Sequence, residues 1–170
     1  MNPALFHNCI RKVCTLVAAT LILPSLSYAQ NNQGNDLFSN NGLSYLVTIT
    51  DASTGAFVTR SMLTFHADHT MSAILAGQGG PNFQFSSQLG SWKFSATGAK
   101  KEVLVARTIF FEFPSFGLGR LDYTATFASD RTQVTGTLTL TDFRPLTADP
   151  FDGDGLPPAH FNFTGTLVTP

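Results

Sequence analysis

The sequence predicts an all-β domain closing into an eight-stranded antiparallel up-and-down barrel, and three observations carry that expectation. From residue 42 onward, short runs rich in Val, Ile, Thr, Phe and Tyr are punctuated by clusters of Gly, Asp, Asn and Pro, the pattern of strands joined by turns. No helical period competes with them. The late runs alternate apolar and polar residues strictly enough to require one dry and one wet face.

Taken in order, the expected strands cover residues 44–50, 56–65, 70–75, 83–94, 102–113, 120–128, 133–143 and 160–168. The connections 51–55, 67–69, 97–100 and 129–131 are short and built from turn formers, so consecutive strands are expected to pair as antiparallel neighbours. In the sixth strand Leu121, Tyr123, Ala125 and Phe127 face one way and Asp122, Thr124 and Thr126 the other. In the seventh, Val134, Leu138 and Leu140 oppose Thr135, Thr137, Thr139 and Thr141; in the eighth, Phe161, Phe163 and Leu167 oppose Asn162, Thr164 and Thr166. An open sheet of eight strands leaves two unpaired edges, and closure removes both. Thr135-Gly136-Thr137-Leu138 recurs as Thr164-Gly165-Thr166-Leu167 with each glycine on the inward parity, which suits a bend or a close approach in a barrel wall. A two-sheet β-sandwich is the alternative.

Ahead of this domain, Arg11 and Lys12 precede the apolar run 13–26, and Ser27-Tyr28-Ala29 supplies a small-x-small site before Gln30. Residues 1–29 therefore read as a secretory signal peptide cleaved after Ala29, which implies a periplasmic or secreted protein. The run is about 14 residues and contains Pro24, short of the roughly 20 that span a bilayer. Residues 30–41, rich in Asn, Gln and Gly, read as a flexible tether, and residues 42–170 as the barrel domain. Both cysteines, Cys9 and Cys14, fall in the leader and away from its end, so neither a lipid-modified cysteine nor a disulfide in the mature domain is expected.

Removing the leader leaves eight basic against eleven acidic side chains, a net charge of −3 with no basic cluster, so nucleic acid is not an expected partner. Fifteen of the sixteen phenylalanines remain to build a core.

The opening Tyr45-Leu-Val-Thr-Ile49, the hairpin 63–70, the mid-chain Gly90-Ser91-Trp92 and the two Thr-Gly-Thr-Leu strands together resemble small bacterial lipocalin-like or allene-oxide-cyclase-like (calycin) barrels. The resemblance spans residues 42–168 at the level of pattern and implies a barrel that encloses a cavity.

Groups able to carry chemistry are few. No nucleophile elbow, mature cysteine or phosphate-cradling glycine loop is present. His66, Asp68 and His69 offer metal-ligating atoms but read as a tight turn, short of four ligands unless His160 joins them. Asp149, Asp152 and Asp154 offer hard oxygens to calcium but read as a solvated loop between prolines. Asn162-Phe163-Thr164 matches a glycosylation sequon inside a strand and reads as structural. No metal or cofactor is expected.

The fifth strand offers a sharper possibility. Its odd positions read Val103, Val105, Arg107, Ile109, Phe111 and Phe113, so an inward odd face would place Arg107 on an apolar wall. A buried guanidinium needs an anionic partner. One reading has Arg107 fixing the acid group of an amphipathic ligand whose tail lies among Phe111, Phe113, Tyr123 and Phe127; the alternatives are an internal ion pair with Asp142 or Glu112, or an Arg turned outward by a bulge.

Three functions are compatible with these features. The leading one is an exported barrel binding a small apolar or amphipathic molecule in its interior. A cyclase- or isomerase-type enzyme acting by shape is the second. An outer-membrane barrel is the third, opposed by the Asp, Asn and Thr on the outward faces, so no stable membrane insertion is expected.

Overall fold

The computed structural model describes residues 42–79, 84–95, 103–113, 117–153 and 155–169. The expected signal peptide, the tether, the turn at 97–100 and Asp154 lie outside the described residues. Eight strands follow in order: β1 (Leu43–Asp51), β2 (Phe57–Phe65), β3 (Thr70–Leu75), β4 (Gln88–Ser95), β5 (Val103–Glu112), β6 (Gly117–Phe127), β7 (Gln133–Phe143) and β8 (Ala159–Leu167).

Each strand pairs antiparallel with the next, and β8 returns to β1 from Tyr45↔Leu167 to Asp51↔Phe161, so the sheet closes. The expected up-and-down barrel is thereby observed and not the alternative sandwich, an architecture consistent with a calycin-like fold. Closure satisfies the edge hydrogen bonds that eight half-buried strands would otherwise expose.

The alternation read from β6, β7 and β8 holds: Leu121, Tyr123, Ala125, Val134, Leu138 and Phe163 are buried inside. Gly136 and Gly165 are inward as expected, and each makes room for a close approach. A Cβ on Gly136 would lie 2.6 Å from the Phe163 ring, and one on Gly165 would lie 2.4 Å from a Val47 methyl. Phe163 thus lies across the barrel wall at mid-height, its ring edge against Tyr123 at 6.2 Å.

Two expectations are corrected. The fourth strand begins at Gln88 rather than 83, because β3 ends at Leu75 and the chain turns away, Ala76 donating to the Arg60 carbonyl. Residues 84–87 therefore lie outside the β3–β4 ladder, with Gln78 Nε2 donating to Ser87 Oγ on that side. They are tied to β5 by Phe113 N–H donating to Gln84 O and Ser86 N–H to Phe111 O.

The second correction concerns β5, whose inward face is the even one: Leu104, Ala106, Thr108 and Phe110 are buried. Arg107 and Phe111 face outward, and no bulge is needed, since the β5–β6 ladder runs unshifted from Val103↔Thr126 to Glu112↔Gly117. Both faces of β5 are apolar enough that its own periodicity does not choose between them. Its partner does: Arg107 stands opposite Asp122 on the wet face of β6.

The 144–158 connection is not simply solvated. Leu118 and Phe143 are buried on the outer face of β6 and β7, Arg120 stacks over the Phe143 ring at 5.1 Å, and its guanidinium donates to the Pro150 carbonyl.

The two ends of the barrel differ. At the end bearing the 66–69 and 128–132 turns, Tyr45, Phe65 and Phe127 pack ring to ring with centroids 5.6 to 6.3 Å apart. Tyr45 donates its hydroxyl to the Arg131 carbonyl and Trp92 its indole N–H to the His66 carbonyl, so large aromatics are pinned to the turns that cover them. At the other end the strands give way to longer connections, and the interior is not filled.

Candidate functional site

At that second end lies a cavity of about 460 Å³. All eight strands contribute to its lining, and its wall includes Ile49 from β1, Phe110 from β5, Leu121 and Tyr123 from β6, Leu138 and Leu140 from β7, Phe161 from β8, and Gln88 at the start of β4. Each faces inward because the period-two alternation of its strand demands it. Phe110 crosses the cavity because its cross-strand partner is Gly119, where a Cβ would lie only 2.0 Å from the ring. Phe85, from the segment tied to β5, packs on Phe110 with centroids 5.3 Å apart and covers part of the mouth. Val58 and Phe113, both largely exposed, form its rim.

Three polar side chains meet at the inner part of this largely apolar cavity. Gln88 is 1% exposed, and its Oε1 accepts from the Tyr123 hydroxyl at 2.7 Å and from the Thr108 hydroxyl at 3.3 Å. Burial drives the Tyr123 phenol well above its ordinary value, only partly offset by Thr108, so the hydroxyl stays protonated and remains a donor.

Glu112 is the ionisable group lining the cavity, and it pairs with Arg144 at 2.9 Å. Beside it Asp142 is raised above the usual carboxylate range, first by burial and then by the charge of Glu112, with Arg144 opposing.

The sequence-derived residues are distributed unequally around this site. Tyr123 is in the wall and Phe113 at the rim. Phe127 is at the packed end against Tyr45 and Phe65. Phe111 is half exposed on the outer surface. Arg107 is on the outer face too, its Nε donating to Asp122, which Arg120 approaches at 3.0 Å. Neither of the internal partners considered for it, Asp142 and Glu112, is used.

Sequence reasoning passed over Gln88, Thr108, Phe110 and Phe85. The inward parity of Thr108 and Phe110 was available from the Arg107–Asp122 pairing, whereas nothing local marks Gln88.

The remaining candidates are held locally. Asp68 Oδ1 accepts from the Thr70 N–H and hydroxyl, His69 takes the left-handed conformation (φ 67°) and stacks on Trp92, and His66 Nε2 meets Ser72 Oγ at 3.2 Å. His160 is the second residue of β8, at the opposite end. Asp149 accepts from the Phe151 N–H. Asn162 lies within β8 with Thr50 and Thr137 beside it.

No family model, curated protein or solved structure matches the chain.

Proposed function

We propose that the protein is an exported barrel that holds a small apolar or amphipathic molecule in the cavity at its open end. The observation that carries this reading is the cavity itself, about 460 Å³ walled by Ile49, Phe110, Leu121, Leu138, Leu140 and Phe161. A volume in this range is typical of small-molecule sites, which are largely apolar with a few placed polar groups. The contact set then comprises Tyr123 and Phe113 together with Phe85, Phe110 and Gln88.

The calycin relationship belongs to this proposal and is supported by the architecture of eight strands in sequence order with one end packed and one open. The leader-like residues 1–29 support export, and the Thr, Asp and Asn on the outward faces of β6 to β8 support a barrel that works in water. Sequencing the N-terminus of the product recovered outside the cytoplasm is expected to give Gln30.

A cyclase- or isomerase-type activity is the second reading. It is favoured by Glu112, a carboxylate that lines the same cavity and has Asp142 beside it.

Titration with the fluorescent probe N-phenylnaphthylamine tests the binding reading. Saturable emission is expected, and Leu138→Trp, which fills the cavity from its wall, is expected to remove it while the β-rich circular dichroism persists. Failure of the intact protein to bind overturns the reading.

A further inference from the structure

The polar floor of the cavity narrows the class of ligand. Gln88 is enclosed, and both hydroxyls that reach it donate to its Oε1. Among the described residues its Nε2 has no hydrogen-bond partner. Nor is Nε2 among the sealed, unpartnered atoms of the described residues, and Gln88 lines the cavity. A primary amide has two N–H donors and no proton to lose. Two uncommitted donors in a nearly dry site are costly to leave unmade.

The geometry points to an uncharged ligand ending in a hydrogen-bond acceptor, a ketone, ester or ether oxygen, seated on the Gln88 amide with its aliphatic body toward Phe110, Leu140 and the mouth. This assignment rests on the cavity being a ligand site and names the chemistry that site selects. A carboxylate is disfavoured because, among the described residues, no cationic side chain lines the cavity, and the one cation beside it, Arg144, is already paired with Glu112. Arg107 is on the outside and cannot serve. The Tyr123 and Thr108 hydroxyls act as positioning groups. By occupying both lone pairs of Oε1 they fix which end of the amide faces the ligand.

Displacement of N-phenylnaphthylamine compares ligands with one tail and different heads: methyl nonyl ketone, undecane and undecanoic acid. The ketone is expected to displace the dye about threefold to tenfold more tightly than undecane, the worth of one neutral hydrogen bond, with ionised undecanoic acid weaker than the ketone. Gln88→Glu retains acceptors for Tyr123 and Thr108 but deletes the amide hydrogens. It is expected to erase the ketone's advantage over undecane, whatever its effect on the dye itself. Gln88→Met, uncharged and of similar size, is expected to do the same and answers the question should a buried glutamate prevent folding. If the dye binds but ketone and undecane compete equally, or undecanoic acid competes best, the assignment is overturned and the binding reading survives. If the dye does not bind at all, both fall.

Discussion

The packed and open ends of this barrel are made from the same alternating strands, yet one is filled and the other hollow, and the difference lies in where the polar tips of the aromatic residues go. At the packed end Tyr45 and Trp92 send their donors outward to the carbonyls of Arg131 and His66, which anchors the rings beneath the turns. At the open end Tyr123 sends its hydroxyl to Gln88 inside the barrel, so its ring is held in the wall and leaves the axis free. Phe163, laid over Gly136, separates the two. Aromatic packing is thereby concentrated at one end and the cavity at the other.

The sharpest way to break this division is to truncate one large aromatic at each end. Phe65 is fully buried, and Phe65→Ala is expected to cost about 3 to 5 kcal/mol in denaturant unfolding. Phe85→Ala at the mouth is expected to cost much less while weakening dye binding. Equal losses would mean that the open end is as much a core as the packed one.

Removing single hydroxyls sharpens the same contrast. Tyr45→Phe deletes one neutral hydrogen bond and is expected to cost about 0.5 to 1.5 kcal/mol without changing ligand affinity. Tyr123→Phe is expected to cost a similar amount and, in addition, to reduce the preference for a ketone, because Oε1 of Gln88 loses its shorter donor. The burial of Tyr45, which raises its phenol to about 12, keeps that donor protonated throughout any practical pH range.

A smaller effect separates turn from core. Asp51 accepts from the hydroxyls and N–H groups of Ser53 and Thr54 in the turn between β1 and β2, led by the Ser53 hydroxyl, and its carboxyl is lowered to about 2. Because the folded state favours the ionised form, its contribution is fully present above the ordinary carboxylate value near 3.8 and is lost as pH falls through about 2. Asp51→Asn is therefore expected to lower the melting temperature modestly at neutral pH, by an amount that shrinks on acidification. An unchanged deficit in acid contradicts the assignment.

The smallest effect is expected at Arg107. Its pair with Asp122 is solvent-exposed, and such pairs contribute at most about 1 kcal/mol. Arg107→Ala is expected to leave probe affinity unchanged. A selective loss of acid binding in that variant restores the anchor role that the sequence suggested.

Strand count, strand order and the inward faces of β6, β7 and β8 were legible because alternation there is strict and a single face is apolar. The orientation of β5 was not, because Val103, Val105 and Ile109 on one face and Leu104, Ala106 and Phe110 on the other satisfy the same rule. Only the cross-strand pairing of Arg107 with Asp122 decides between them. Tyr123 was legible as an inward residue, but its partner Gln88 was not. A lone glutamine between Ser87 and Leu89 carries no periodic signal, and its burial is defined by groups 20 and 35 residues away, Thr108 and Tyr123.

The central claim is that a small apolar molecule enters the open end and stops at the Phe163 partition. Titrating isotopically labelled protein with N-phenylnaphthylamine and following the NMR shifts of both ends tests it most directly. The account predicts saturable shifts at Gln88, Phe110, Tyr123 and Leu138 with Tyr45, Phe65 and Trp92 unmoved; shifts confined to the outer surface, or spread equally over both ends, would contradict it.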